Sequence, residues 1–125
     1  MTFSPVRKSK HVGIKTECAR GHKHDSRREA RRCEVLHQMQ DAELIAALKV
    51  HPFFPFVING ETPKMRNGHK LGVTLDFSYV EVEAAQFVAE DVKGRSRLAD
   101  SRDWPLRRTL FEHIYKAWDL REVRS

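Results

Sequence analysis

The sequence predicts an α/β fold in which a small mixed β-sheet is flanked by helices. Three observations predict it. A helix-period apolar stripe begins near His24, strand-like apolar runs fill the middle, and a second helix-period segment from Trp104 precedes a last short strand-like run. With 125 residues, residues 21–125 suit one domain, able to bury roughly 60% or more of the surface its unfolded chain exposes.

Residues 1–20 mix Lys, Ser, Thr and Gly without periodicity, and read as a basic flexible arm. "HDSRREARRCEVLHQMQDAE" (His24 to Glu43) opens with helix-start signals, Asp25 or Ser26 as the cap and Glu29 three residues after the serine. Ala30, Cys33, Leu36 and Met39 form its apolar stripe, and Arg27, Arg28, Arg31 and Arg32 cover much of the rest of the first two turns. "LIAALKVHPFFPFVI" (Leu44 to Ile58) is strand-like, but Pro52 and Pro55 confine that part to an edge or bulged strand. Two Asn-Gly pairs and a proline make residues 59–70 a turn or exposed loop. "LGVTLDFSYVEV" then alternates, with Val73, Leu75, Phe77 and Tyr79 on one face and Thr74, Asp76 and Ser78 on the other. A second strand over Ala85 to Lys93 makes the pair a hairpin, and residues 94–103 form a loop. "WPLRRTLFEHIYKAW" is helical, with Pro105 in its first turn and Leu106, Leu110, Ile114 and Ala117 on one face. "DLREV" ends the chain as a short strand.

Charge is segregated along this frame. Residues 1–32 carry ten Lys and Arg against three acids (+7), residues 33–92 four against nine (−5), and residues 93–125 nine against five (+4). Basic ends around an acidic centre fit a polyanion-binding surface around a carboxylate site. No apolar run approaches the roughly 20 residues that span a membrane, and the N-terminus has no apolar segment of the secretory kind. Two cysteines make no disulfide framework, so a reducing cytoplasm is the simplest compartment.

Strand geometry concentrates chemistry on a few acids. Side chains at i and i+2 share a face, so Asp91 and Lys93 point the same way while Glu90 and Val92 point to the other. A register that pairs the two strands suitably brings Asp76, Asp91 and Lys93 together. Two carboxylates at that distance repel, and hard oxygen ligands favour Mg²⁺ or Mn²⁺ between them. A lysine beside them can orient or deprotonate the attacking water and offset charge developing on phosphorus. An ordinary cross-strand Asp–Lys pair is the plain alternative. Glu29 fits a capping box with Ser26, yet it lies within about 40° of Cys33 and Leu36 on a helical wheel, along the buried stripe. Slipping the strand by one residue would exchange Asp91 for Glu90 and leave Lys93 on the wrong face.

"GHKHDSRREARR" (Gly21 to Arg32), "TLDFSYV", "VAEDVKG" and "LRRTLFEHIY" resemble, in order, the blocks of a family of small phage-encoded proteins in the PD-(D/E)xK nuclease superfamily. The family pattern is G-x-x-F-D-S-x-x-E-A, a Q-P strand, A-D-F, E-D-V-K-G and a basic helix, and the resemblance spans residues 21–123. It implies a restriction-endonuclease-like core and Mg²⁺-dependent cutting of DNA, Mn²⁺ substituting, by relatives of junction-resolving and transposon-end endonucleases. Carried over by position, Glu29 is the helix acid, Asp76 the first-strand aspartate, and Asp91 and Lys93 the acid-x-lysine pair. In the mechanism this implies, Asp76, Asp91 and the Val92 carbonyl hold one metal, Glu29 a second or its waters, and Lys93 positions the attacking water. The chain departs from the pattern at His24 (Phe in the family), His51 (Gln) and Leu75 (often Ala).

Arg27, Arg28, Arg31, Arg95, Arg107 and Arg108 are the candidate phosphate contacts on DNA, with solvated helix arginines as their plain reading. Lacking a base-reading motif, the chain is expected to choose branched or Holliday-junction DNA by shape, for which a homodimer would place two sites on two strands. A phage origin puts it in the bacterial host cytoplasm. Two other readings stand beside this one, a non-catalytic nucleic-acid-binding or host-interaction protein on the same fold, and a nicking, DNA-end or RNA-directed nuclease. Cys18, His22, His24 and Cys33 are metal-ligand types, but their spacing is irregular and Cys33 fits a helix core, so zinc is not expected.

Overall fold

The structure, a computed structural model, describes residues 16–17, 23–24, 27–93 and 103–124. Two two-residue strands, β1 (Thr16–Glu17) and β2 (Lys23–His24), pair antiparallel ahead of the first helix. The expected arm therefore contains one paired segment, while the rest of residues 1–20, the proposed cap at Asp25 or Ser26, Cys18, His22 and Arg95 lie outside the described residues.

Helix α1 (Arg27–Asp41) buries the predicted stripe of Ala30, Cys33 and Leu36, with Met39 packed beside it. It feeds β3 (Ile45–Val50), which is followed by β4 (Phe53–Pro55), β5 (Gly72–Thr74), β6 (Phe77–Glu81) and β7 (Gln86–Lys93). Helix α2 (Asp103–Ile114) then leads to β8 (Trp118–Arg124). The main sheet has the order β3-β6-β7-β8, antiparallel except for the β7–β8 pair, which is parallel. A parallel neighbour needs a crossover, and α2 provides it. Among the described residues the fold is thus α/β with a small mixed sheet and two helices, as expected.

β6 and β7 form the expected antiparallel hairpin, and its register sets Phe77 opposite Glu90. The preceding strand differs from expectation. The run from Leu71 to Val82 is not one strand but two, broken at Leu75–Asp76. Its partner breaks at the same level, His51–Pro52, where Pro52 supplies no N–H to a ladder. The segment β4–β5 continues as a separate two-stranded sheet, tied to the main one by Leu75 N–H donating to the Pro52 carbonyl (3.0 Å) and His51 N–H donating to the Asp76 carbonyl (2.9 Å). Beyond it, Asn59 and Gly60 both take positive φ (54° and 83°) in a tight turn closed by the Ile58–Glu61 bridge.

The break divides the core. Phe77, Tyr79 and Val88 pack with Ile45 and the α1 stripe. Leu75, Val73 and Ala89 pack with Phe54, Phe56 and Phe111 of α2. Val88 and Ala89 are sequence neighbours in different clusters, so the helices cover opposite faces of the sheet. Ser78, expected on a polar face, is buried, because that face is covered as well. In α2 the buried residue is Phe111, flanked by Trp104, Leu110, Ile114 and Tyr115, whereas Leu106 is 61% exposed and Ala117 lies past the helix end. The stripe is rotated because an aromatic cluster decides the packing. Phe54 meets Phe111, Tyr115 and Trp118 edge-on at centroid distances of 5.0, 5.2 and 5.1 Å. The Tyr115 hydroxyl donates to the Pro55 carbonyl at 2.7 Å, locking α2 to β4.

Candidate functional site

The double break is where the polar chemistry collects. Glu29 descends from the first turn of α1, buried to 5% exposure. His51 stands at the end of β3 in the left-handed region (φ 56°), and its Nε2 lies 2.6 Å from Glu29 Oε1. Asp76 stands opposite, between β5 and β6. One ligand atom from each of Glu29, His51 and Asp76 lies within 4.8 Å of the other two. Among the described residues this is the group of carboxylate and imidazole atoms able to share one ion.

Asp76 is pinned by the backbone of the next strand. The Val92 N–H donates to its Oδ2 at 2.6 Å, and the Asp76 N–H donates to the Glu90 carbonyl at 3.0 Å. Val92 thus meets the site through its amide. Burial pushes the Asp76 carboxyl up to about 8 against the Val92 hydrogen bond, and the charges of Glu29 and Asp91 push the same way. A hydrogen bond shared with Glu29 adds to the rise.

Asp91 and Lys93 share a face as i and i+2 geometry requires. Lys93 is 5% exposed, and its Nζ lies 2.8 Å from Asp91 Oδ2 and 4.2 Å from the Trp104 ring centroid. Trp104 is fixed in turn, its Nε1–H donating to Glu122 Oε2 at 2.9 Å, and the same oxygen accepts from Arg108 at 2.8 Å. The indole hydrogen bond, then the Arg108 guanidinium and the Lys93 ammonium, hold the Glu122 carboxyl below its usual range. Beside Asp91 opens a pocket of about 410 Å³ lined by Phe53, Thr74, Asp91, Asp103, Trp104 and Arg107.

The structure therefore brings Glu29 to Asp76, and Asp76 within electrostatic reach of Asp91, whose carboxylate is paired with Lys93. It adds three residues that sequence patterning did not assign to the site: His51, Trp104 and Glu122. His51 stands out in sequence only as a histidine before a strand-breaking proline. Trp104 and Glu122 carry no local signal, because α2 and β8 meet Lys93 only through the crossover.

Glu90 is in the predicted orientation, away from Asp91, and it is fully buried. Arg32 Nε and Nη2 donate to its two oxygens at 2.8 and 2.6 Å, and the Tyr79 hydroxyl also donates to it. The one-residue slip that would make Glu90 the ligand is therefore not the register adopted.

The expected phosphate contacts divide. Arg27 and Arg31 are exposed on the first turns of α1, and Arg28 is half-buried. Arg107 instead donates to the Gly72 carbonyl, and Arg108 is paired with Glu122. Both guanidinia thus have partners within the fold. Cys33 is buried in the core, with its Sγ 3.5 Å from His37 Nδ1. Among the described residues no helix is long and apolar enough to cross a membrane.

A pH dependence follows from Asp76. Its pKa in the fold, about 8, lies above the ordinary 3.8, so the folded chain keeps a proton that the unfolded chain releases. That contribution is fully present below about pH 4 and is lost as pH rises through 8. In protein stripped of divalent ions, the melting temperature is expected to fall between pH 5 and 8, with a flatter profile in Asp76→Asn. Parallel profiles for the two proteins would show that Asp76 is not the group responsible.

Set against protein-family models, curated proteins and solved structures, the chain matches none of them.

Proposed function

We propose that this chain is a divalent-metal-dependent DNA endonuclease of the PD-(D/E)xK type, built on a restriction-endonuclease-like core. It uses Mg²⁺, with Mn²⁺ able to substitute, and acts in the host cytoplasm on branched DNA such as a Holliday junction, as a homodimer. One observation carries the reading. An acid from α1 and an acid at a strand break share one group of ligand atoms, and an acid-x-lysine pair lies within electrostatic reach of the second acid, with the lysine buried and held.

Glu29, Asp76 and Asp91 supply the oxygen ligands. Val92 N–H orients Asp76, and Asp91, with the Trp104 ring, fixes the ammonium of Lys93. From there Lys93 orients the attacking water and meets charge developing on the phosphate. A bound divalent cation would supply Lewis-acid polarisation of the phosphoryl oxygens. Arg27, Arg28 and Arg31, on the same first turns of α1 as Glu29, place positive charge beside the site for the phosphate backbone.

The test is cleavage of labelled four-way junction, flap, linear duplex and single strand with Mg²⁺ or Mn²⁺, beside Asp91→Asn. Junction cutting is expected, with a loss of about 10²-fold or more in the variant. Equal cutting by the variant sinks the site. Binding without cutting on every substrate points to a non-catalytic DNA-binding protein. Linear duplex cut as fast as the junction removes the preference for branched DNA.

A further inference from the structure

We propose that His51 is a ligand of the metal site, and that its imidazole makes the site select a borderline transition ion of the Mn²⁺–Co²⁺ class over Mg²⁺. This rests on the metal-site part of the reading above and goes beyond it in the identity of the ion.

The argument begins with the donor set. Glu29, His51 and Asp76 offer one nitrogen and two oxygens, all within 4.8 Å of one another. Neighbouring ligands on one octahedral ion at about 2.1 Å stand about 3 Å apart, and opposite ones about 4 Å. The group thus needs only small side-chain shifts to close on a cation. His51 Nε2 already points at Glu29 Oε1 at 2.6 Å. A cation would replace that hydrogen bond between the same two atoms.

Backbone contacts aim the ring independently of any ion. His51 N–H is held by the Asp76 carbonyl, and the following Pro52 carbonyl accepts from Leu75 N–H. The histidine therefore sits at the strand break by virtue of the same ladder that places Asp76. A purely structural Glu–His pair would need no second carboxylate, yet Asp76 brings a further oxygen within 4.8 Å of both.

The ion follows from ligand chemistry. Carboxylates suit Mg²⁺, Ca²⁺ and Mn²⁺, whereas imidazole suits later first-row ions and adds little for Mg²⁺. A mixed nitrogen–oxygen set follows the order in which Co²⁺ binds more tightly than Mn²⁺. Replacing the imidazole by an amide leaves an oxygen ligand of Mg²⁺ type.

The experiment measures binding without DNA. Isothermal titration of ion-stripped protein with Co²⁺, Mn²⁺ and Mg²⁺ is compared between wild type and His51→Gln, and pulsed electron paramagnetic resonance is recorded on the Mn²⁺-loaded proteins. Wild type is expected to show coupling of Mn²⁺ to a ligand ¹⁴N. His51→Gln should lose that coupling and bind Co²⁺ and Mn²⁺ about tenfold or more weakly, with Mg²⁺ changed by less than about threefold. Mn²⁺ bound by wild type without nitrogen coupling overturns the proposal and needs no variant to fold. Coupling that persists in the variant also overturns it, as does failure to bind Mn²⁺ or Co²⁺. Cleavage is read separately with Mg²⁺ and with Mn²⁺. Cutting without nitrogen coupling overturns the role of His51 alone, and nitrogen coupling without cutting overturns the nuclease reading alone.

Discussion

Lys93→Ala is expected to lower the single-turnover rate of DNA cleavage by about 10²–10⁴-fold while the protein still folds. The side chain ends the longest strand of the sheet, and contacts of different kind fix its ammonium. Asp91 holds it at 2.8 Å, and the face of Trp104 lies 4.2 Å away. An ammonium buried against a carboxylate and an aromatic face has little freedom to move. That is what a group orienting an attacking water requires. Removing it also leaves Asp91 without this cation beside Asp76, which strengthens the repulsion that already raises Asp76. Both consequences lower activity. Lys93→Arg is the informative companion, since it keeps the charge but places a planar fork where the structure holds a point charge. If Lys93→Ala cuts at the wild-type rate and melts at the same temperature, Lys93 has no part in the chemistry.

Trp104 allows the same idea to be graded. Its Nε1–H is tied to Glu122, so β8 holds the indole and the indole holds the lysine. Under the proposed function it is a positioning residue, one step removed from the reacting atoms.

Several of these relations can be seen in the sequence, and the reason others cannot is physical. Asp91 and Lys93 share a face because strand periodicity alone puts them there. Glu29 lies on the buried side of α1 because the wheel places it beside Cys33 and Leu36. Both facts are local. The break at Leu75–Asp76 is not, because alternation persists through it: Leu75 and Phe77 are both buried and both apolar, yet they belong to different cores. Apolar spacing cannot show that the surface beneath a strand has changed. The α2 stripe fails similarly. Leucines at Leu106 and Leu110 imitate a helical face, but Phe54, from a distant part of the chain, and Tyr115 draw Phe111 inward. His51 joins Glu29 and Asp76 only because two strands break at one level, a coincidence that no single segment records.

Glu90→Gln is expected to destabilise the fold by about 3–5 kcal/mol, the usual effect of breaking a buried ion pair from one side. Glu90 is fully buried, and its two oxygens take a two-pronged guanidinium from Arg32 and the hydroxyl of Tyr79. The hydrogen bond to Glu90 holds the Arg32 guanidinium above its ordinary range, and burial followed by that same carboxylate raises the Tyr79 hydroxyl. An amide at this position leaves a guanidinium charge, itself only about a quarter exposed, without its counter-ion, and one amide hydrogen faces donors rather than an acceptor. The double variant Arg32→Met with Glu90→Leu should recover most of the loss, because apolar groups of similar size remove both desolvated charges together. Denaturant melts of the two single variants and the double variant measure this directly. The experiment also separates the two acids of "VAEDVKG". Glu90→Gln should cost stability, with the cleavage rate of the folded fraction kept, and Asp91→Asn should cost cleavage with little stability. The reverse pattern would place Glu90 in the site and Asp91 outside it, and with them the strand register itself would be wrong by one residue.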